Sequence, residues 1–304
     1  MRTRILVTGA GGFVGAAVVK AAVAAGHEVV ALVRNDTSRL TSIADRISMQ
    51  RVDLADTTAV AALLHSAKPA IVIHSAWEGV GGALRSGDIQ LDNIRTTVAL
   101  ADAAIAAGAR KFVGIGSQAE YGRYDRKIVE TDLPQPTMLY GAAKLAACHL
   151  AAQRCREAGM AFAWLRLFSV YGAGDNSNWL IPSAALALVR GKPPLCTAGT
   201  QKWDYLHIDD VADGVLAAAT SDRATGVFNL SSGNPVAVRQ IVETLRDFAA
   251  PELELNFGAI PFGPDQIMHL DGDNGRLRAA TGWSPRVPLA EGLRQVVDEL
   301  RMAA

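Results

Sequence analysis

The chain has 304 residues, half of them hydrophobic, and its 30 basic side chains balance its 30 acidic ones at a formal net charge of zero. That length suits one large α/β domain, or a nucleotide-binding domain carrying a smaller second lobe. The charge balance excludes a polybasic surface for nucleic acid or anionic membrane, and the apolar content excludes a disordered chain.

At the N-terminus an apolar run is broken by Gly9, Gly11 and Gly12 with no small-residue cleavage site after it, so no secretory signal is expected. Short β-branched runs then alternate with longer stretches of helical apolar period. Strands are predicted at Arg4–Thr8, at Glu28–Val33 and over residues 47–52, 70–74, 111–115 and 162–167, and helices over 14–25, 57–66, 88–107 and 140–158. Each helical stretch is long enough to cross over between parallel strands, so the pattern predicts a doubly wound α/β fold with helices on both faces of a parallel sheet. After Phe168 the regularity drops, with glycine, proline and asparagine clustered over 172–194 and a second irregular stretch over 256–288. Residues 204–230 between them carry strand-like and helix-like parts again. The expected organisation is a nucleotide-binding domain of residues 1–170 and 204–235 and a smaller substrate lobe of residues 171–203 and 236–304. No stretch is apolar enough to cross a bilayer, so a cytoplasmic protein is expected. Cys148, Cys155 and Cys196 show neither a CxxC pair nor zinc-ligand spacing, so neither a disulfide framework nor a metal is expected.

The turn formed by Gly9, Gly11, Gly12, Phe13, Val14 and Gly15 falls directly between the first strand and the first helix. There a tight turn, a close approach of backbone to a pyrophosphate and close helix packing all favour glycine, and the helix N-terminus supplies amide donors. In that context the motif predicts a Rossmann dinucleotide site, although its first two glycines lie one residue farther apart than in GxGxxG. At the end of the second strand, where a carboxylate would bind the adenosine ribose of NAD, stand Val33 and Arg34. An arginine pairs with a 2′-phosphate, so NADP(H) is the expected cofactor and NAD(H) the alternative. That Arg34 is only a solvated strand-end residue stays open.

Tyr140 and Lys144 stand four residues apart on a predicted helix and therefore share a face. A tyrosine is a poor acid or base near neutrality, but a nearby ammonium and an oxidised nicotinamide both favour phenolate, which suits proton exchange with a carbonyl oxygen. Ser117 ends the run that begins at Phe112, at the carboxyl edge of the sheet, where its hydroxyl can bond a substrate oxygen. Asp209 and Asp210, just before Val211, read as helix N-terminal acids and not as metal ligands.

Together with the runs from His74 to Trp77, Leu165 to Gly172, Trp203 to Val211 and Gly282 to Pro285, these motifs resemble the extended short-chain dehydrogenase/reductase family of nucleotide-sugar epimerases, dehydratases and reductases. The resemblance covers almost the whole chain. It implies that Ser117, Tyr140 and Lys144 carry catalysis, that Asn93 supports the lysine, and that Asp53, Leu54, Ser75, Ala76, Trp77, Phe168 and Val170 join the glycine turn at the cofactor. It also implies a nucleotide-sugar substrate met by Trp77, Glu78, Ser117, Gln118, Asn178, Trp203 and Arg276, and a homodimer built on helices 88–107 and 140–158. Gln118 and Ala119 stand where the family's 4,6-dehydratases carry Asp and Glu, and Ala119 where a fucose-synthase-like branch carries cysteine. Neither residue can shuttle protons, which leaves hydride transfer with a single proton. Trp203 stands where many relatives have an arginine, so a phosphate-binding cation is missing. The absent ribose carboxylate, and a looser similarity over 257–261 and 265–268, favour NADPH-dependent reduction of a nucleotide-linked 4-keto-6-deoxy sugar. The alternatives are a 4-epimerase that retains NAD, reduction of a carbonyl that is not on a sugar, and an NADP(H)-binding regulator without catalysis.

Overall fold

The computed structural model describes residues 2–303. Strands β1 (Arg4–Thr8), β2 (Glu28–Val33), β3 (Ser48–Arg51), β4 (Ile71–His74), β5 (Lys111–Ser117) and β6 (Ala161–Leu167) pair in parallel. Ile5, Leu6 and Val7 follow one another in β1 and all three are fully buried. Because successive side chains point to opposite faces, such a run requires helices on both. Helices α1 (Phe13–Ala24) and α6 (Ile208–Thr220) pack on one face, while α2 (Thr57–Ala67), α3 (Ile89–Ala106) and α4 (Leu139–Glu157) pack on the other.

Beyond β6 the chain makes two short pairings. β7 (Ser169–Tyr171) lies beside β9 (Tyr205–His207), and β8 (Lys202–Trp203) is flanked by β11 (Val236–Ala237) and β12 (His269–Leu270). Between these excursions β10 (Gly226–Leu230) returns to the main sheet and pairs with the outer side of β6. The sheet order is then β3-β2-β1-β4-β5-β6-β10. The order reverses between β1 and β4, and in open α/β sheets ligands bind in the crevice beyond the carboxyl ends of the strands at that point.

Helices α5 (Leu180–Val189), α7 (Val238–Ala249) and α9 (Leu289–Ala303) bury a core of their own around Ile181, Ile241, Leu245, Leu293 and Val297. In α7 the buried residues Val238, Ile241, Val242 and Leu245 recur at one-turn spacing, which gives that helix one apolar stripe. Helix α8 (Gly275–Thr281) packs instead on α6 and β10.

The six expected strands and four expected helices are present, Arg4–Thr8 and Glu28–Val33 with the expected bounds and the others with ends shifted by up to two residues. Residues 172–194 are not irregular throughout, because α5 lies inside them. Pro182 stands in its first turn, where a helix needs no amide donor. Likewise 256–288 contains β12 and α8. Asp209 and Asp210 fall in the first turn of α6, and the Asp210 carboxylate accepts the amides of Arg286 and Val287 at 2.9 and 3.0 Å. Among the described residues no helix is long and apolar enough to cross a membrane.

Candidate active site

A cleft of about 1380 Å³ opens beyond the carboxyl ends of β1, β4 and β5. Pockets for one small ligand usually span roughly 300–1,000 Å³, so this one has room for two ligands side by side. Its floor is the glycine turn. Gly9 has φ +64°, and a Cβ there would come within 2.6 Å of the Ala76 amide nitrogen, while a Cβ on Gly15 would strike the Gly9 carbonyl. Glycine is therefore required where the turn crosses the β4 loop and where α1 leaves the turn. No side chain caps the first turn of α1, and Phe13, Val14 and Gly15 line the cleft. Uncapped amides at a helix N-terminus are what a pyrophosphate needs, so the turn fits a dinucleotide.

At the end of β2, Arg34 forms an ion pair with Glu78, and both side chains are about half exposed. Glu78, expected against the sugar, thus meets the arginine expected at the adenosine end. Arg39, which sequence reasoning missed, donates to the Gly174 carbonyl at 2.9 Å and to the Gly11 carbonyl at 3.4 Å, placing a second cation there. Asp53 accepts the Ala55 amide at 2.9 Å and lines the cleft together with Leu54.

The loop after β4 is pinned from α3. Asn93 accepts the Glu78 amide at 3.0 Å and donates to the Glu78 carbonyl at 2.9 Å. Gln90 accepts the Trp77 indole at 2.9 Å and donates to the carbonyls of Gly79 and Leu84 at 2.9 and 3.0 Å. Asn93 therefore braces the loop instead of Lys144. Beneath it, His74 bonds Thr8 at 2.8 Å through one ring nitrogen and Thr97 at 3.0 Å through the other. Burial pushes that imidazole down to about 3, so it stays neutral.

Ser117 closes β5, and its placement comes from Glu120, a fully buried residue that the motifs did not single out. The Glu120 carboxylate accepts the Ser117 amide at 2.9 Å, the Trp164 indole at 2.9 Å and the Arg166 guanidinium at 2.7 Å. The Ser117 hydroxyl in turn accepts the Ala119 amide at 3.1 Å. Tyr140 stands in the first turn of α4, is buried, and lies edge-on to Trp77 with ring centres 6.3 Å apart. Burial raises its pKa, while the Ser117 hydroxyl and the Arg85 guanidinium lower it.

Lys144 shares the helix face of Tyr140, but its ammonium lies one turn deeper. It donates to the Ile115 carbonyl at 2.6 Å and sits 3.7 Å from the centre of the Trp77 ring. Burial holds it well below the usual lysine range. The ammonium thus bonds β5 and lies over Trp77, whereas the spacing suggests that it faces the phenol.

Every residue expected at the cofactor lines the cleft, as do Trp77, Glu78, Ser117, Gln118 and Trp203. Trp203 is held there by its indole, which donates to the Ile267 carbonyl at 2.7 Å. Asn178 and Arg276 are not among the lining residues. Asn178 is exposed in the turn before α5, its amide donating to Asn176. On α8 the buried Leu277 faces the core, and the neighbouring Arg276 lies exposed over the Phe228 ring at 5.0 Å, beside β10. The cleft gains Arg39, Arg85, Asp175 and Trp179, none of which belongs to a motif of fixed spacing, and Tyr205, which lies inside the run from Trp203 to Val211. Burial lifts the Asp175 carboxyl to about 6.

The profile of the NAD dependent epimerase/dehydratase family matches residues 5–231. The chain belongs to that family. It is 30% identical to a UDP-glucose 4-epimerase of Streptomyces lividans over 94% of this chain and 92% of the other. It is 27% identical to a GDP-6-deoxy-D-mannose reductase of Pseudomonas aeruginosa over 98% of this chain and 97% of the other. The solved structure of a Thermus thermophilus UDP-glucose 4-epimerase in complex with NAD superposes with a TM-score of 0.87, at 25% identity, over 99% of this chain and all of that one. The uncapped α1 terminus, Ser117 and Tyr140 all face this one cleft.

Proposed function

We propose that this enzyme transfers hydride at C4 of a nucleotide-linked sugar, acting as an NADPH-dependent reductase of a 4-keto-6-deoxy sugar. The observation that carries the reading is the convergence of Ser117 and Tyr140 with the glycine turn in one cleft large enough for both ligands. Similarity to a GDP-6-deoxy-D-mannose reductase supports the direction, and Arg34 and Arg39 supply cations for a 2′-phosphate. The amides of Phe13, Val14 and Gly15 would hold the pyrophosphate, and Lys144 the nicotinamide ribose. A bound nicotinamide supplies the hydride. Ser117 holds the C4 oxygen and Tyr140 delivers a proton to it, with placement contributing much of the rate. Residues 171–203 and 236–304 form the substrate lobe in this reading, and α3 and α4 form the dimer face.

A second reading, 4-epimerisation on retained NAD, is favoured by one observation: the Arg34–Glu78 pair occupies the arginine assigned to the 2′-phosphate. Similarity to UDP-glucose 4-epimerases agrees with it. Nicotinamide absorbance separates the two. Mixed with a nucleotide-linked 4-keto-6-deoxyglucose, the protein is expected to oxidise NADPH faster than NADH, and Tyr140→Phe to lose that activity. Absence of oxidation together with interconversion of UDP-hexoses on co-purified NAD would reject reduction in favour of epimerisation.

A further inference from the structure

Resting on the reading above only for Tyr140 as the proton donor, we propose that Arg85 is a further cation that readies Tyr140 for proton transfer, from a seat on the face of its ring. Arg85 belongs to the short turn Gly82–Ser86 between β4 and α3 and lines the cleft. Its guanidinium carbon lies 4.8 Å from the centre of the Tyr140 ring. The seat is fixed, because Gln90 holds the carbonyl of the adjacent Leu84 at 3.0 Å.

What sets Arg85 apart is that it has no hydrogen-bond or ion-pair partner among the described residues, and its buried Nε is left without an acceptor. The other cations of the cleft are engaged: Arg34 with Glu78, Arg39 with two carbonyls, Arg95 with Asp92 at 3.0 Å, and Lys144 with Ile115 and Trp77. A buried donor without an acceptor costs free energy unless negative charge arrives beside it during function. The proposed reaction brings that charge. As the Tyr140 O–H bond breaks, the proton moves to the C4 oxygen, which holds the electron pair released from the carbonyl π bond, and a phenolate remains under Arg85. A preorganised cation over the ring stabilises this anion more than it stabilises the neutral phenol.

Of the charged groups around Tyr140, Arg85 is the one that lies on the face of its ring. Glu120 approaches from the turn after β5 and disfavours phenolate, but it is tied to Arg166 at 2.7 Å. Lys144, on the same helix, has its ammonium drawn to the Ile115 carbonyl. Burial opposes ionisation of Tyr140, and the Ser117 hydroxyl and Arg85 guanidinium act against burial.

The test needs no substrate. Phenolate absorbance of the complex with the oxidised cofactor is titrated for the native protein and for Arg85→Met, Arg85→Gln and Arg85→Lys, each with its own Tyr140→Phe counterpart subtracted. Both uncharged variants are expected to titrate about one pH unit higher or more, a tenfold loss of phenolate, and Arg85→Lys close to native. The basic limb of kcat/KM should move upward with them. Arg85→Met or Arg85→Gln melting and titrating as the native protein does would overturn the role. An inactive native protein would reject the substrate reading alone, whereas an unmoved titration would reject Arg85 whatever the turnover.

Discussion

Glu120 shows how much of the site is decided beneath its surface. It has no exposed area, its carboxylate accepts donors from Ser117, Trp164 and Arg166, and one of those bonds fixes the end of β5 that carries Ser117. Removing one partner of such a pair strands the other in a low-dielectric interior. Arg166→Met is therefore expected to cost about 3–5 kcal/mol in urea unfolding, and the double variant with Glu120→Gln to cost less than the two single changes added together. His74 makes a pH prediction. Its ordinary value of 6.5 falls to about 3 in the fold, so between those values the unfolded chain binds a proton that the native protein does not. Stability should accordingly fall as pH drops from about 6.5 towards 3. His74→Gln should flatten that slope in urea midpoints measured across the range.

At the scale of elements, the junction of β1, the glycine turn and α1 tolerates no added carbon. Gly9→Ala would place a methyl group against the Ala76 backbone at a left-handed φ. A loss of about 1–3 kcal/mol is expected from the strain alone, with weakened dinucleotide binding, measured by thermal unfolding and by fluorescence quenching on cofactor addition. The six strands and four helices around this junction were legible because parallel strands read as β-branched runs and crossover helices as apolar periods. Helix α5 was hidden by Pro182 and its glycine- and asparagine-rich approach, and the tight helical turn Ser38–Arg46 buries only Leu40, too little for a period. The site divides the same way. The glycine turn, Ser117 and the Tyr140–Lys144 spacing announce themselves because the chemistry fixes residue type and interval. Side-chain direction does not appear in sequence, which is why the motifs put Arg276 at the substrate and aim Lys144 at the phenol, and why Arg85, on an unremarkable loop, gives no signal.

At the scale of the whole molecule, the main sheet is protected at its two edges in different ways. β3 at one edge is short and polar, and its two end residues are exposed. β6 is apolar and buried along nearly all its length, and it is covered only because β10 returns to pair with it. Asp204 helps to hold that return by accepting the amides of Ser232 and Gly233 at 2.7 and 2.8 Å. A chain ended before Gly226 should therefore aggregate through an open β6 edge, seen as void-volume elution in size-exclusion chromatography, while the full chain elutes as a discrete species.

The same arrangement reaches into biosynthesis. A ribosome delivers β6 well before β10, so each nascent chain passes through an interval in which a nearly complete sheet carries one sticky, unpaired border. Crowded polysomes would bring such borders together. Soluble yield should then respond to how fast and how densely the message is translated, and to chaperones that shield strands, more than to the melting temperature of the finished enzyme.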